Sequence, residues 1–192
     1  DPEILEKQKQ LEKLFDEIMT DEMKELFRKL QEMMDKLNKD DVKKALDQMK
    51  LTNEDIKKEL DRNLELFKQL EVDKKLQDNI DKLDQLHEEQ KKLADESRNS
   101  KTESKNIKEK QDALNKQFDE LRKEMDTLQQ KNSALENPQK MPDTDEQEQQ
   151  IQQQMQQSSD QLQDGKKSNA SKSQESAAEQ MKQLSESLKK MQ

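Results

Sequence analysis

The side chains best able to do chemistry are few, and their spacing gives them little to work with. His87 is the only histidine, in the stretch DQLHEEQ. An imidazole beside carboxylates could serve as a general base or a metal ligand. Zinc sites, however, take three or four nitrogen or sulfur ligands, and this chain offers no second histidine and no cysteine. Glu88 and Glu89 are neighbours in sequence, so on a helix they point in different directions. The acidic pairs Asp40–Asp41, Glu54–Asp55 and Glu88–Glu89 read as solvated faces or caps. DTDEQEQQ, from Asp143, has the oxygen ligands of a calcium loop but lacks the mid-loop glycine and the spacing to a terminal Glu. A single glycine, Gly165, cannot make a phosphate loop. A nucleophile–base pair would have to use His87 on an exposed helix, without a cleft to exclude water. No catalytic, metal or cofactor site is expected, and the chain is not expected to be an enzyme.

What the residues specify is architecture. Of 192 residues, 27% are hydrophobic and 42% are charged, with four phenylalanines and no tyrosine or tryptophan. That is too little apolar volume for a thick interior, which leaves a disordered chain or helices that bury a narrow seam. Three prolines and one glycine in a chain rich in Leu, Glu, Lys and Gln favour helix. The predicted fold is all-α: elongated antiparallel hairpins or coiled coil around one very long helix, with no β-sheet.

The seam locates the elements. Residues 1–50 form an N-terminal arm, with a helix over 3–38 and a short one over 41–49. Leu30 lies on a stripe that runs Met23, Leu26, Leu30, Met33, Leu37 at heptad spacing. Thr52 and Asp55 make a variant capping box, with Leu51 and Ile56 as a staple. From there to Pro138 no breaker occurs, and one helix is predicted over 52–136, roughly 130 Å long at 1.5 Å per residue. Its seam takes in Leu60, Leu64, Phe67 and Leu70, then Leu76, Ile80, Leu83 and Leu86. It resumes at Ile107, Gln111, Leu114, Phe118, Leu121, Met125, Leu128, Asn132 and Leu135. Between them, Ser97, Ser100 and Ser104 occupy seam positions and mark a weak point, either a close helix approach or a hinge.

Pro138 and Pro142 make 137–143 a loop. Residues 144–192 form a C-terminal arm that turns near Gly165, with Thr144 and Gln147 as a second capping box. Ten of the seventeen residues from Gln147 to Gln163 are glutamine, yet Ile151, Met155, Ser158 and Leu162 step 4, 3, 4, which favours helix over a disordered tract. Ala170, Ser173, Ala177, Met181, Leu184, Leu188 and Met191 continue the seam. Both arms are expected to lie antiparallel on the long helix, and so thin a seam invites a third helix from another copy or a parent chain. Gln111 and Asn132 would fix register at some cost in stability.

The stretches KLFDEIMTDEMKELFRKLQEMMDKLNKDD, NEDIKKELDRNLELFKQLE and GKKSNASKSQESAAEQMKQLSESLKKMQ resemble the coiled-coil region of large Bacteroidota envelope proteins, the domain of unknown function 4175 family. The resemblance implies an internal fragment of a protein with membrane helices upstream. This region would stand at the cell envelope on the periplasmic face; a cytoplasmic location stays compatible with the residues themselves. The family has no established activity, so no catalytic residue carries over.

Net charge is −9, with −8 in residues 1–96 (28 acidic, 20 basic) and −1 in 97–192 (17 acidic, 16 basic). Neither half has the basic face that holds phosphates, so nucleic acid is not an expected partner. The expected partners are other helices of the parent protein, a second copy, or envelope proteins. Membrane contact would come only through segments outside this chain. The primary reading is a structural or assembly region acting as a helical scaffold or spacer. The alternative is a holdase-like client binder that grips unfolded chains with exposed Met and Leu, for which Met33, Met125 and Met181 are diagnostic. A third reading is a lever arm that regulates an attached enzyme.

Overall fold

The computed structural model describes residues 2–18 and 53–192, and the side chains of residues 2–13, 58 and 61–192. The described helices are α1 (Pro2–Ile18), α2 (Asn53–Asn99), α3 (Ser104–Ser133), α4 (Asp145–Gln163) and α5 (Lys167–Lys189). Among the described residues there is no strand, and the fold is all-α. The chain divides into two units, Asp1–Lys74 and Lys75–Gln192. The stripe through Leu30, the short helix over 41–49, Met33 and the Leu51–Thr52 end of the first cap lie outside the described residues.

Unit 1 holds α1 and the start of α2. Lys7 pairs with Glu3 one turn away and with Asp61 of α2. Leu64 and Val72 are buried, Phe67 is half-buried, and Leu5, Leu66 and Leu70 are exposed. Leu70, expected on the seam, is 44% exposed and so only partly covered. The side chain of Leu60 is outside the described set.

Unit 2 departs from the expected single helix over 52–136. The chain leaves helix after Asn99 and resumes it at Ser104. Across this turn α3 runs back along α2: Lys82 meets Glu124 at 2.7 Å, Gln90 meets Gln111 at 2.8 Å, and Glu96 meets Lys110 at 3.0 Å. The physical reason is twofold. Reversal lets the leucine seams on either side of the serines bury each other, where a straight helix would leave them waiting for a partner. The turn is also well satisfied. Ser100 Oγ donates to the Glu96 carbonyl (2.6 Å) and accepts the Thr102 N–H (3.2 Å). The Lys167 ammonium donates to the carbonyls of Ser100 and Thr102, both at 2.8 Å.

The remaining helices close the bundle. α4 is antiparallel to α3 (Arg122 to Glu148, Asn115 to Ser159), and α5 is antiparallel to α4 (Ser173 to Gln161). α5 also runs against α2, where Ser171 donates to the Ala94 carbonyl and Lys189 pairs with Asp84. Unit 2 is thus an up-down-up-down four-helix bundle. The C-terminal arm does not lie on a long helix as one rod. It doubles back at Gly165, and the second half of the expected long helix supplies the extra layer that another copy or a parent chain was expected to provide.

Two connections explain why helices stop where they do. After α3, the Asn132 amide stands in for a peptide group: its Nδ2 donates to the Gln139 carbonyl (2.7 Å) and its Oδ1 accepts the Gln139 N–H (3.0 Å). This clamps the loop that carries Pro138 and Pro142. After α4, Gly165 has φ +72. Lys166 N–H reaches the Gln161 carbonyl and Gly165 N–H reaches that of Leu162, the paired bonds of a Schellman cap. A Cβ on Gly165 would meet nothing within 4 Å, so the strain of Gly165→Ala is that of the left-handed backbone alone. The variant should lose about 1 kcal/mol, read as a lower denaturant midpoint at unchanged slope.

Candidate functional site

The most organised side-chain cluster in unit 2 is a hydrogen-bonded layer of amides inside the bundle. Gln90 on α2, Gln111 on α3 and Gln174 on α5 are each 0% exposed. Gln90 and Gln111 form a reciprocal amide pair, each Nε2 donating to the other's Oε1 at 2.8 Å. Gln174 Nε2 donates to the same Gln111 Oε1 at 3.0 Å. Gln111 Nε2 also donates to Asn115 Oδ1 (2.9 Å), and Asn115 Nδ2 donates to Ser159 Oγ on α4 (3.0 Å). One continuous chain of hydrogen bonds therefore touches all four helices. Gln174 Oε1 is buried without a partner.

Apolar layers enclose this one. Leu93, Ile107, Leu162 and Ala170 are buried toward the Ser100–Glu103 turn. On the other side the sites Leu83, Leu114, Phe118, Leu121, Leu128, Leu184 and Leu188 are all 7% exposed or less, together with Met125, Met155 and Met181. Of the seam residues named from sequence, the structure brings these together within unit 2. Phe67 is half-buried in unit 1, and Leu30 and the Leu60 side chain lie outside the described set.

Sequence reasoning missed Gln90, Gln174 and Glu148. Gln90 follows Leu86 by four and precedes Leu93 by three, so the heptad count would have found it had a polar residue been allowed on the seam. His87 makes a bond within the bundle. Its Nδ1 lies 2.7 Å from the Ala178 carbonyl of α5, an atom that can only accept, so Nδ1 carries the proton. Among the described residues no group of three or more His, Cys, Asp or Glu could hold a metal ion.

Glu148 replaces Gln147 as the partner of Thr144. Thr144 makes no side-chain cap to the backbone; its hydroxyl donates to Glu148 Oε2 at 2.7 Å. Arg122 reaches Glu148 Oε1 at 3.3 Å and also Gln152, which bonds Asp119. Glu148 is 3% exposed. Burial raises its carboxyl pKa, and the Thr144 and Arg122 bonds, which lower it, do not offset that. The sign follows. A raised carboxyl favours folding when protonated, so this contribution is full below the unfolded value and is lost as pH rises through the folded one. Glu148→Gln should match or exceed the parent in stability at pH 7, and the gap should shrink toward pH 4, read from denaturant midpoints at both.

Asp84 runs the other way. Burial raises its pKa, but hydrogen bonds from Ser185 and Lys189 outweigh that and hold it low. Its contribution is present above the usual aspartate value and is lost as pH falls through the depressed one. The side chain is 43% exposed, so solvent screens it and the effect is small.

No family model, curated protein or solved structure matches the chain. Among the described residues, no helix is long and apolar enough to cross a membrane.

Proposed function

We propose that this chain is a non-catalytic structural region of a larger membrane-anchored envelope protein, working as a helical scaffold or spacer through helix–helix pairing. The observation that carries this reading is the burial of three methionines in unit 2. Met125, Met155 and Met181 are 6%, 1% and 0% exposed, packed inside a closed bundle. A client-gripping surface needs its thioethers at an open face, where their flexibility can adapt to different partners. Here they fill a core, and the outer faces carry ion pairs such as Lys82–Glu124, Lys108–Asp112 and Arg98–Glu175. The envelope setting rests on the sequence resemblance.

The discriminating measurement is light scattering of an unfolding client protein. The scaffold reading expects aggregation to proceed unchanged at one chain per client. Suppression at that ratio would overturn it in favour of the holdase alternative. The location is tested with reporters fused to the full-length parent protein; a reporter active only in the cytoplasm would remove the envelope setting.

A further inference from the structure

The turn between α2 and α3 is written in a sequence that could equally continue as helix. Ser100, Lys101, Thr102 and Glu103 include no glycine and no proline. More telling is the phase of the seam. Leu86, Gln90, Leu93, Ser97, Ser100, Ser104, Ile107, Gln111 and Leu114 step 4, 3, 4, 3, 4, 3, 4, 3 without a slip. An ordinary helix–turn–helix has no need to keep heptad phase through its turn, because the two helices are separate cylinders. Here the residues that face inward on both arms would lie on one face if the turn straightened.

We propose that the Ser100–Glu103 turn opens into continuous helix and that two copies of this chain exchange their Lys75–Asn99 segments to form a dimer. The partner surface already exists. Each contact that now joins α2 to the rest of the bundle would be remade with the other copy's α3 and α5: Gln90 with Gln111, Lys82 with Glu124, Glu96 with Lys110, Ala94 with Ser171. Only the turn changes. Ser97, Ser100 and Ser104 would then meet their counterparts where the two straightened helices cross, and small side chains permit a close crossing. Exchange of an identical element costs little because the two forms share one core.

Lys167 is the latch of the closed form. Its ammonium occupies the Ser100 and Thr102 carbonyls, at 2.8 Å each. In a continuous helix those carbonyls would accept the N–H groups of Ser104 and Asn106. Asn106 N–H now bonds the Glu103 carbonyl instead. The two states therefore compete for the same acceptors. This exchange does not rest on the scaffold reading: a bundle that never exchanges could still be a scaffold, and a holdase could still exchange.

The test uses the full chain, refolded from denaturant at rising concentration and separated by size with mass measurement. A dimer whose share grows with chain concentration is expected. Lys167→Met should raise the dimer-to-monomer ratio about tenfold or more, since two charge-assisted bonds of the closed turn are lost. Ser104→Pro should abolish the dimer and keep the monomer. Proline is welcome at the first position of α3, and Glu103 before it is already extended (φ −63, ψ 141), but a proline inside a continuous helix is excluded. Should Ser104→Pro fail to fold by circular dichroism, Lys101→Gly with Thr102→Gly penalises the continuous helix in its place.

Exchange is separated from side-by-side association by refolding nitrogen-15-labelled and unlabelled chains together and joining Lys82 to Glu124 with a zero-length carbodiimide cross-link. Cross-linked peptides of mixed isotope in the dimer are expected. Three results would each overturn the proposal. They are a monomer at every concentration even with Lys167→Met, a dimer cross-linked only within chains, and a dimer undiminished by either turn variant.

Discussion

Leu121→Asp is expected to unfold unit 2, with loss of most of its helical circular dichroism signal at 25 °C. Leu121 is 2% exposed and lies on α3, the helix that touches both α2 and α4. Removing a buried leucine side chain costs about 2–5 kcal/mol through lost transfer and the cavity left behind. The introduced carboxylate adds a second penalty of several kcal/mol, because the position is desolvated and the nearest cation, Lys82, is already paired with Glu124. The neighbouring buried side chains Phe118, Met125 and Leu128 offer no donor. The sum is comparable to the whole stability of a domain, about 5–15 kcal/mol. Leu121→Ala, which omits the charge, should lower the denaturant midpoint but leave a cooperative transition. If the aspartate variant kept full helicity and the parental midpoint, Leu121 could not be core.

The second large effect is expected at Gln111, and its form is more informative than its size. Gln111 is bonded to Gln90, Gln174 and Asn115 at once. Gln111→Leu should destabilise by about 2–4 kcal/mol, because it strands buried amides whose desolvation is then uncompensated. Replacing Gln90, Gln111 and Gln174 together by Leu, Leu and Met should recover most of that loss, since an apolar layer of similar volume strands only the half-buried Asn115 Oδ1. The cycle is read by denaturant melts of the single and triple variants. Strict additivity would mean that the three amides do not act as one unit. The triple variant also tests specificity: broader amide resonances would show that the layer holds the four helices in one register.

The sequence made the buried positions legible more fully than the path of the chain. From Ile107 to Leu135 a strict 4, 3 alternation picks out nine residues, and all nine are buried. Ile151, Met155, Ser158 and Leu162 were readable by the same count even among ten glutamines, because period outweighs polarity once one face is committed to a neighbour. The reversal at Ser100–Glu103 was not readable. Turns are usually marked by glycine or proline, and this one is made by serine hydroxyls and by a lysine 65 residues away from Thr102. A cap supplied from another helix leaves no local trace. The amide layer was half visible: Gln111 stood out on its seam, whereas Gln90, between Glu89 and Lys91, and Gln174, between Ser173 and Glu175, lie among polar neighbours that hide them. Glu148 was hidden for a related reason. A carboxylate four residues from Thr144 normally faces water, and only the closeness of α3, through Arg122, draws this one inside.

One detail of the bundle bears on how it would answer to force. Gln77 and Gln192 hydrogen-bond to each other, so unit 2 takes in its chain and lets it go at the same end. Tension applied between those two points would peel α5 from α2 one layer after another instead of loading every layer together. Opening in that order would need less force than shearing the four helices past one another, and would lengthen the chain in steps.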